Sequence, residues 1–201
     1  MNSFLVTAAC SYFLGSIPFG YILVRIFRGQ DVRTTGSGNI GATNVSRTSP
    51  ALGALTLLLD ALKGLAAVAL ARAWYPDQKV LMGVAALMAI VGHVFPAWLK
   101  FKGGKGVATG FGAFLLLAPT TIFLMIGVFA SVAALSRQVS LASIVTVAMF
   151  PLAAWILNSY SDMPQMLAFM ATASILIIAK HHGNIRRLLA GTEPRMQWRR
   201  G

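Results

Sequence analysis

The chain has 201 residues, of which 57% are hydrophobic and only 11% charged, with a mean hydropathy of +0.72. Soluble domains hold about 45–50% apolar residues, and here the apolar residues run in long blocks, so the pattern excludes a water-soluble protein. It implies one all-α integral membrane domain over residues 1–201. Seventeen Lys and Arg against five acids give a formal charge of +12. That excess fits cytoplasmic loops beside anionic lipid, with no nucleic acid as partner. The single cysteine, Cys10, excludes an internal disulfide and a thiolate metal site.

The first apolar run, 3–25, has no basic segment before it, so it reads as a span and not as a cleaved signal. Arg25, Arg28 and Arg33 follow it, which places the N-terminus outside and the end of the span in the cytoplasm. Next comes a polar island, Thr35–Arg47, with three glycines, two asparagines, several hydroxyls and Arg47 but no acid. Flexible backbone lined with donors and lacking carboxylates suits a bound anion such as a phosphate. Spans follow at about 51–75 and 80–99. The first carries Asp60 and Lys63 at i, i+3 spacing. Ionisable groups in a span suggest function, while a pair that neutralises itself also fits a brace for the cleft. His93, near the end of the second, fits packing or loop positioning.

A second island, Phe101–Gly110, sets Lys102 and Lys105 among four glycines. Glycine backbone before a helix N-terminus, with Lys105 as a point charge, makes another anion seat. It is not a nucleotide-binding P-loop, because Gly106 stands where Ser or Thr is required. The stretch 107–136 is too long for one ordinary span and carries Pro119. It reads as a short helix at about 107–117, a turn, and a second helix to about 136. Spans at about 139–157 and 164–180 complete about seven transmembrane helices. That count, unlike six, keeps the basic tail cytoplasmic together with all three islands.

The third island is Lys180–Arg187, where His181 and Asn184 share a face if the helix continues. Histidine exchanges protons near pH 7 without perturbation. Too few acids accompany the three histidines for a metal site. Glu193 is the one acid beside Arg186, Arg187, Arg195, Arg199 and Arg200, and reads as their anchor or that of loop amides. Two anion seats at a membrane face also fit a small transporter for phosphate or another anion, although such a transporter would hold its polar groups near the midplane.

Taken in order, the islands resemble the bacterial acyl-phosphate-dependent glycerol-3-phosphate acyltransferase family. The resemblance rests on Ser37-Gly-Asn-Ile-Gly-Ala-Thr-Asn44 with Arg47, Gly92-His-Val-Phe-Pro with Phe101-Lys-Gly-Gly-Lys-Gly-Val-Ala-Thr109, and His181-His-Gly-Asn184-Ile-Arg. It covers essentially the whole chain. Lys180 departs from the family's usual arginine, keeping charge without bidentate recognition. The resemblance implies acyl transfer from acyl phosphate to the 1-hydroxyl of glycerol 3-phosphate, giving lysophosphatidate and inorganic phosphate for phospholipid biosynthesis. By the same resemblance, Ser37, Arg47, Lys105, His181 and Asn184 form the catalytic set. Gly38, Asn39, Gly41, Thr43, Asn44, Gly103, Gly104 and Thr109 shape the acyl-phosphate seat. Glu193 is structural, and Asp60 and Lys63 are read alongside it as structural.

No cofactor is expected, because acyl phosphate carries its own leaving group. The sequence has no His-x-x-x-x-Asp dyad of the acyl-CoA type. His181 and a substrate phosphate oxygen both remain as proton acceptors, the phosphate being preferred. The implied setting is the bacterial inner membrane, with membrane lipid as surroundings and a link to an upstream phosphate acyltransferase.

Overall fold

The computed structural model describes residues 2–157, 160 and 162–196, so Arg199 and Arg200 lie outside the described residues. All regular structure among the described residues is helical. Ten α-helices run α1 (Ser3–Gly15), α2 (Phe19–Arg28), α3 (Ala42–Thr48), α4 (Pro50–Trp74), α5 (Lys79–Val94), α6 (Val107–Leu115), α7 (Pro119–Ser136), α8 (Val139–Ile156), α9 (Pro164–Ala179) and α10 (His182–Leu189). Ser3–Arg28, Pro50–Trp74, Lys79–Leu99, Pro119–Ser136 and Val139–Ile156 are long and apolar enough to cross a membrane. Pro164–Ala179 with His182–Leu189, bent by 60°, makes a sixth if counted as one span. The short helix expected at 107–117 is α6, whose 9 residues reach only about 14 Å.

One helix breaks inside a run that reads as a single span, and another ends where the sequence leaves its continuation open. The first apolar run ends as a helix at Gly15 and restarts at Phe19. Pro18 disfavours helical backbone at Ile17 and carries no amide hydrogen, so the ladder cannot pass through it. The last run bends between α9 and α10, and His181 sits at the junction. His181 is the N-cap of α10, three residues before Asn184, and its carbonyl accepts from the Ile185 amide at 2.8 Å. The segment after the bend, His-Gly-Asn-Ile-Arg-Arg, is too polar to continue as a span.

The chain divides into two compact units, Met1–Leu117 and Ala118–Gly201. In the first, α4 packs on α1, α5 and α6, and α1 packs on α5. Small residues set these crossings, as expected where lipid gives no hydrophobic push between helices. A Cβ on Gly112 would overlap the Ala61 carbonyl oxygen, and one on Gly64 the Thr109 carbonyl oxygen. At the loop end, Val24, Val32, Ile40, Val45 and Leu99 form a buried cluster that ties the first polar island to the turn before the second. In the second unit, α8 packs on both α7 and α9.

Candidate active site

The first island is a folded turn, with a single 3-10 turn at Val32–Thr34 before it and α3 as its second half. Asn44, 2% exposed, organises it. Its Nδ2 donates to the carbonyls of Val32, Thr35 and Asn39 at 3.1, 3.1 and 2.9 Å. Its Oδ1 accepts from the Ser37 amide at 2.8 Å. One amide side chain thus ties together four backbone groups from four different residues of the turn. Gly36 and Gly38, with φ of 56° and 69°, flank Ser37, and only glycine adopts that backbone without strain. The side chains of Ser37 and Thr43 are left exposed, and the Gly41 amide is held by Asn39 Oδ1 at 2.8 Å.

Arg47, also exposed, brings its guanidinium to 3.2 Å from where a Cβ on Gly36 would stand. The nearest acid upstream is neutralised locally. Arg33 pairs with Asp31 at 2.6 Å and stacks over Tyr21 at 4.8 Å. The hydrogen bond from Arg33 drives the Asp31 carboxyl down to about 2. The turn therefore keeps the positive field of Arg47.

In the second island, the Gly103 and Gly104 amides donate to the carbonyls of Val94 and His93, each at 3.1 Å. Neither glycine has positive φ; Gly106, at 89°, does. A Cβ on Gly103 would overlap the His93 carbonyl oxygen, and one on Gly104 the imidazole Nε2. The pair therefore serves close approach to His93, a signal the glycine-rich pattern alone did not distinguish from flexibility. Lys105 is half-buried, and α6 begins after Gly106 with no side-chain cap. Thr109 is fully buried, its hydroxyl without a hydrogen-bond partner among the described residues.

Asp60 and Lys63 pair at 2.8 Å, both buried. Lys63 also donates at 2.7 Å to the Ile17 carbonyl, in the break between α1 and α2. His93 Nδ1 stands 3.6 Å from the same Asp60 oxygen.

In the second unit, His181 is 2% exposed. Its Nδ1 lies 2.8 Å from the Ile177 carbonyl. A carbonyl can only accept, so Nδ1 carries the proton and Nε2 holds the lone pair of the neutral ring. Lys180 is half-buried at the end of α9. Asn184, 8% exposed, donates to Glu193 Oε1 at 2.6 Å. Ser140 donates to the same oxygen at 2.6 Å, and Arg187 to Oε2 at 2.7 Å. Burial raises the Glu193 carboxyl, but these hydrogen bonds and the charge of Arg187 outweigh it and hold the group below its ordinary value. The pairing of Glu193 with Arg187 agrees with the reading of this acid as an anchor for its neighbouring arginines, whereas Ser140 was missed by sequence reasoning. Ser140 lies 53 residues from its partner, and no local pattern marks it. Among the described residues no group of three His, Cys, Asp or Glu could hold a metal ion.

The sequence model of the glycerol-3-phosphate acyltransferase family matches residues 5–191. A glycerol-3-phosphate acyltransferase of Sinorhizobium medicae is 46% identical over 194 residues, covering 94% of this chain and 92% of that protein. One from Mesorhizobium japonicum is 48% identical over 183 residues, covering 90% of each. The crystal structure of PlsY, an integral membrane glycerol 3-phosphate acyltransferase, in its glycerol 3-phosphate form superposes with a TM-score of 0.91. It is 34% identical, covering 98% of this chain and 96% of that one. The lysophosphatidic acid form of PlsY gives 0.88 at 32% identity, with the same coverage. The polar islands thus belong to a multi-pass membrane enzyme of lipid synthesis, and the chain is a member of the glycerol-3-phosphate acyltransferase family.

Proposed function

We propose that the chain transfers a fatty acyl group from acyl phosphate to the 1-hydroxyl of glycerol 3-phosphate, releasing inorganic phosphate and lysophosphatidate. It would do so as one catalytic domain crossing the bacterial inner membrane seven times, its N-terminus outside and its polar islands facing the cytoplasm. The observation that carries this reading is the turn built on Asn44. It displays Ser37 between two left-handed glycines beside the Arg47 guanidinium, with Asp31 already neutralised. That is a seat for a phosphate group, and the Lys105 loop offers a second. The two ligand forms of PlsY, with glycerol 3-phosphate and with lysophosphatidic acid, correspond to acceptor and product of this reaction.

In the proposed chemistry the 1-hydroxyl oxygen attacks the acyl carbonyl carbon, the bond from that carbon to the phosphate oxygen breaks, and the departing phosphate takes the hydroxyl proton. Acyl phosphate is a mixed anhydride, so no acyl-enzyme is needed. Arg47 and Lys105 neutralise phosphate charge as it develops, and Ser37 and Asn184 orient the groups by hydrogen bonds. Gly38, Asn39, Gly41, Thr43, Asn44, Gly103, Gly104 and Thr109 shape the seat for the donor phosphate. His181, with its lone pair on Nε2, accepts a hydrogen bond from the attacking hydroxyl. An upstream acyltransferase that makes acyl phosphate would supply the donor.

The test is a donor comparison with purified protein in lipid and radiolabelled glycerol 3-phosphate. Labelled lysophosphatidate is expected from palmitoyl phosphate and none from palmitoyl-CoA. Product from the thioester, with none from the acyl phosphate, would sink the reading.

A further inference from the structure

The buried Asp60–Lys63 pair closes the break between α1 and α2, and that task needs only the two residues and the Ile17 carbonyl. It does not account for His93. This side chain is 4% exposed, and it faces the pair on one edge and the second polar loop on the other. Nδ1 is 3.6 Å from Asp60 Oδ1. Nε2 fills the space that a side chain on Gly104 would occupy. The His93 carbonyl takes the Gly104 amide hydrogen at 3.1 Å. Gly104 immediately precedes Lys105. A contiguous path of contacts thus runs from the helix break, through Lys63, Asp60 and the imidazole, to the backbone that carries the loop's cation.

We propose that His93 is a positioning residue for Lys105: Asp60 sets the imidazole, and the imidazole sets the Gly103–Gly104 backbone from which Lys105 reaches substrate phosphate. The inference rests on the role of Lys105 given under the proposed function. A rigid planar ring between an oriented carboxylate and a glycine backbone fixes the loop more narrowly than its two backbone hydrogen bonds alone. An error of about 1 Å in placing a charged group costs up to about a hundredfold in rate.

The experiment compares His93→Asn with the unaltered protein in acyl transfer and in thermal unfolding. Asn retains a polar atom near the Nδ1 position and so the contact with Asp60, but it removes the ring edge beneath Gly104. The expected result is a Tm within a few degrees of the parent and a fall of about ten- to a hundredfold in kcat/KM. Equal activity in the two proteins would overturn the proposal.

Because a histidine variant can fail to fold, Asp60→Leu combined with Lys63→Met tests the path from its other end. Replacing both members of a buried pair by apolar residues is often neutral for stability. A bracing role alone predicts a folded, active protein. Positioning predicts a folded protein with the same loss in kcat/KM as His93→Asn, and full activity in this variant would also overturn it. Lys105→Ala serves as the control. If the parent makes no lysophosphatidate, the proposed function falls. If the parent is active, Lys105→Ala inactive and both positioning variants unimpaired, only this inference falls.

Discussion

At the scale of single residues, the first seat depends on a side chain that does not face outward. Asn44 is buried, and its amide resolves four backbone groups at once. Three of these are carbonyl oxygens that accept from its Nδ2. Asn44→Ala leaves all four groups without that partner and should cost about 2–3 kcal/mol. Asn44→Asp should be worse, although it is nearly isosteric, because it turns a carboxylate toward the Val32, Thr35 and Asn39 carbonyls. Thermal unfolding of the two variants, with transfer activity alongside, checks the order. Asp as stable as Ala would contradict this account of the turn. The sequence pattern marks Asn44 as part of a phosphate-friendly stretch. It does not reveal that Asn44 works through the backbone it holds, because its carbonyl partners lie 5 to 12 residues away.

At the scale of elements, the segment after α10 returns to the start of α8 through Glu193. The Met196 amide also donates to the Arg137 carbonyl, at 2.7 Å. Since the Glu193 carboxyl is depressed in the folded protein, its contribution is fully present above the ordinary value of 4.5 and is lost as the pH falls through the lower, folded value. Protection of the 192–196 amides, taken relative to their intrinsic exchange rates, should therefore be high near neutrality and fall on acidification below that range. Glu193→Gln should remove the pH dependence, and Glu193→Ala should weaken docking by about 2 kcal/mol. Protection factors independent of pH in the parent would contradict the assignment. Helix type and extent were largely legible in the sequence, because runs such as 51–75 and 139–157 are long and apolar, and the observed Pro50–Trp74 and Val139–Ile156 differ from them by at most a residue at each end. The breaks were read unevenly. Pro119 marked the start of α7, whereas Pro18 lay in a run apolar enough to read as one helix. Ser140 and Glu193 meet only through tertiary packing, which periodicity does not encode.

At the scale of the whole molecule, high hydropathy and the +12 charge fit the arrangement proposed above: apolar helices in lipid, with basic segments toward anionic headgroups and anionic substrates. Family membership fixes the class of reaction as acylation of glycerol 3-phosphate. The identity of the donor is the central claim. Its most direct test follows inorganic phosphate and lysophosphatidate together, with purified protein and palmitoyl phosphate, in the presence and absence of glycerol 3-phosphate. The account predicts phosphate release only when glycerol 3-phosphate is present, one phosphate for each lysophosphatidate formed. Enzyme-dependent phosphate release without the acceptor, or lysophosphatidate formed without phosphate, would contradict direct transfer from acyl phosphate.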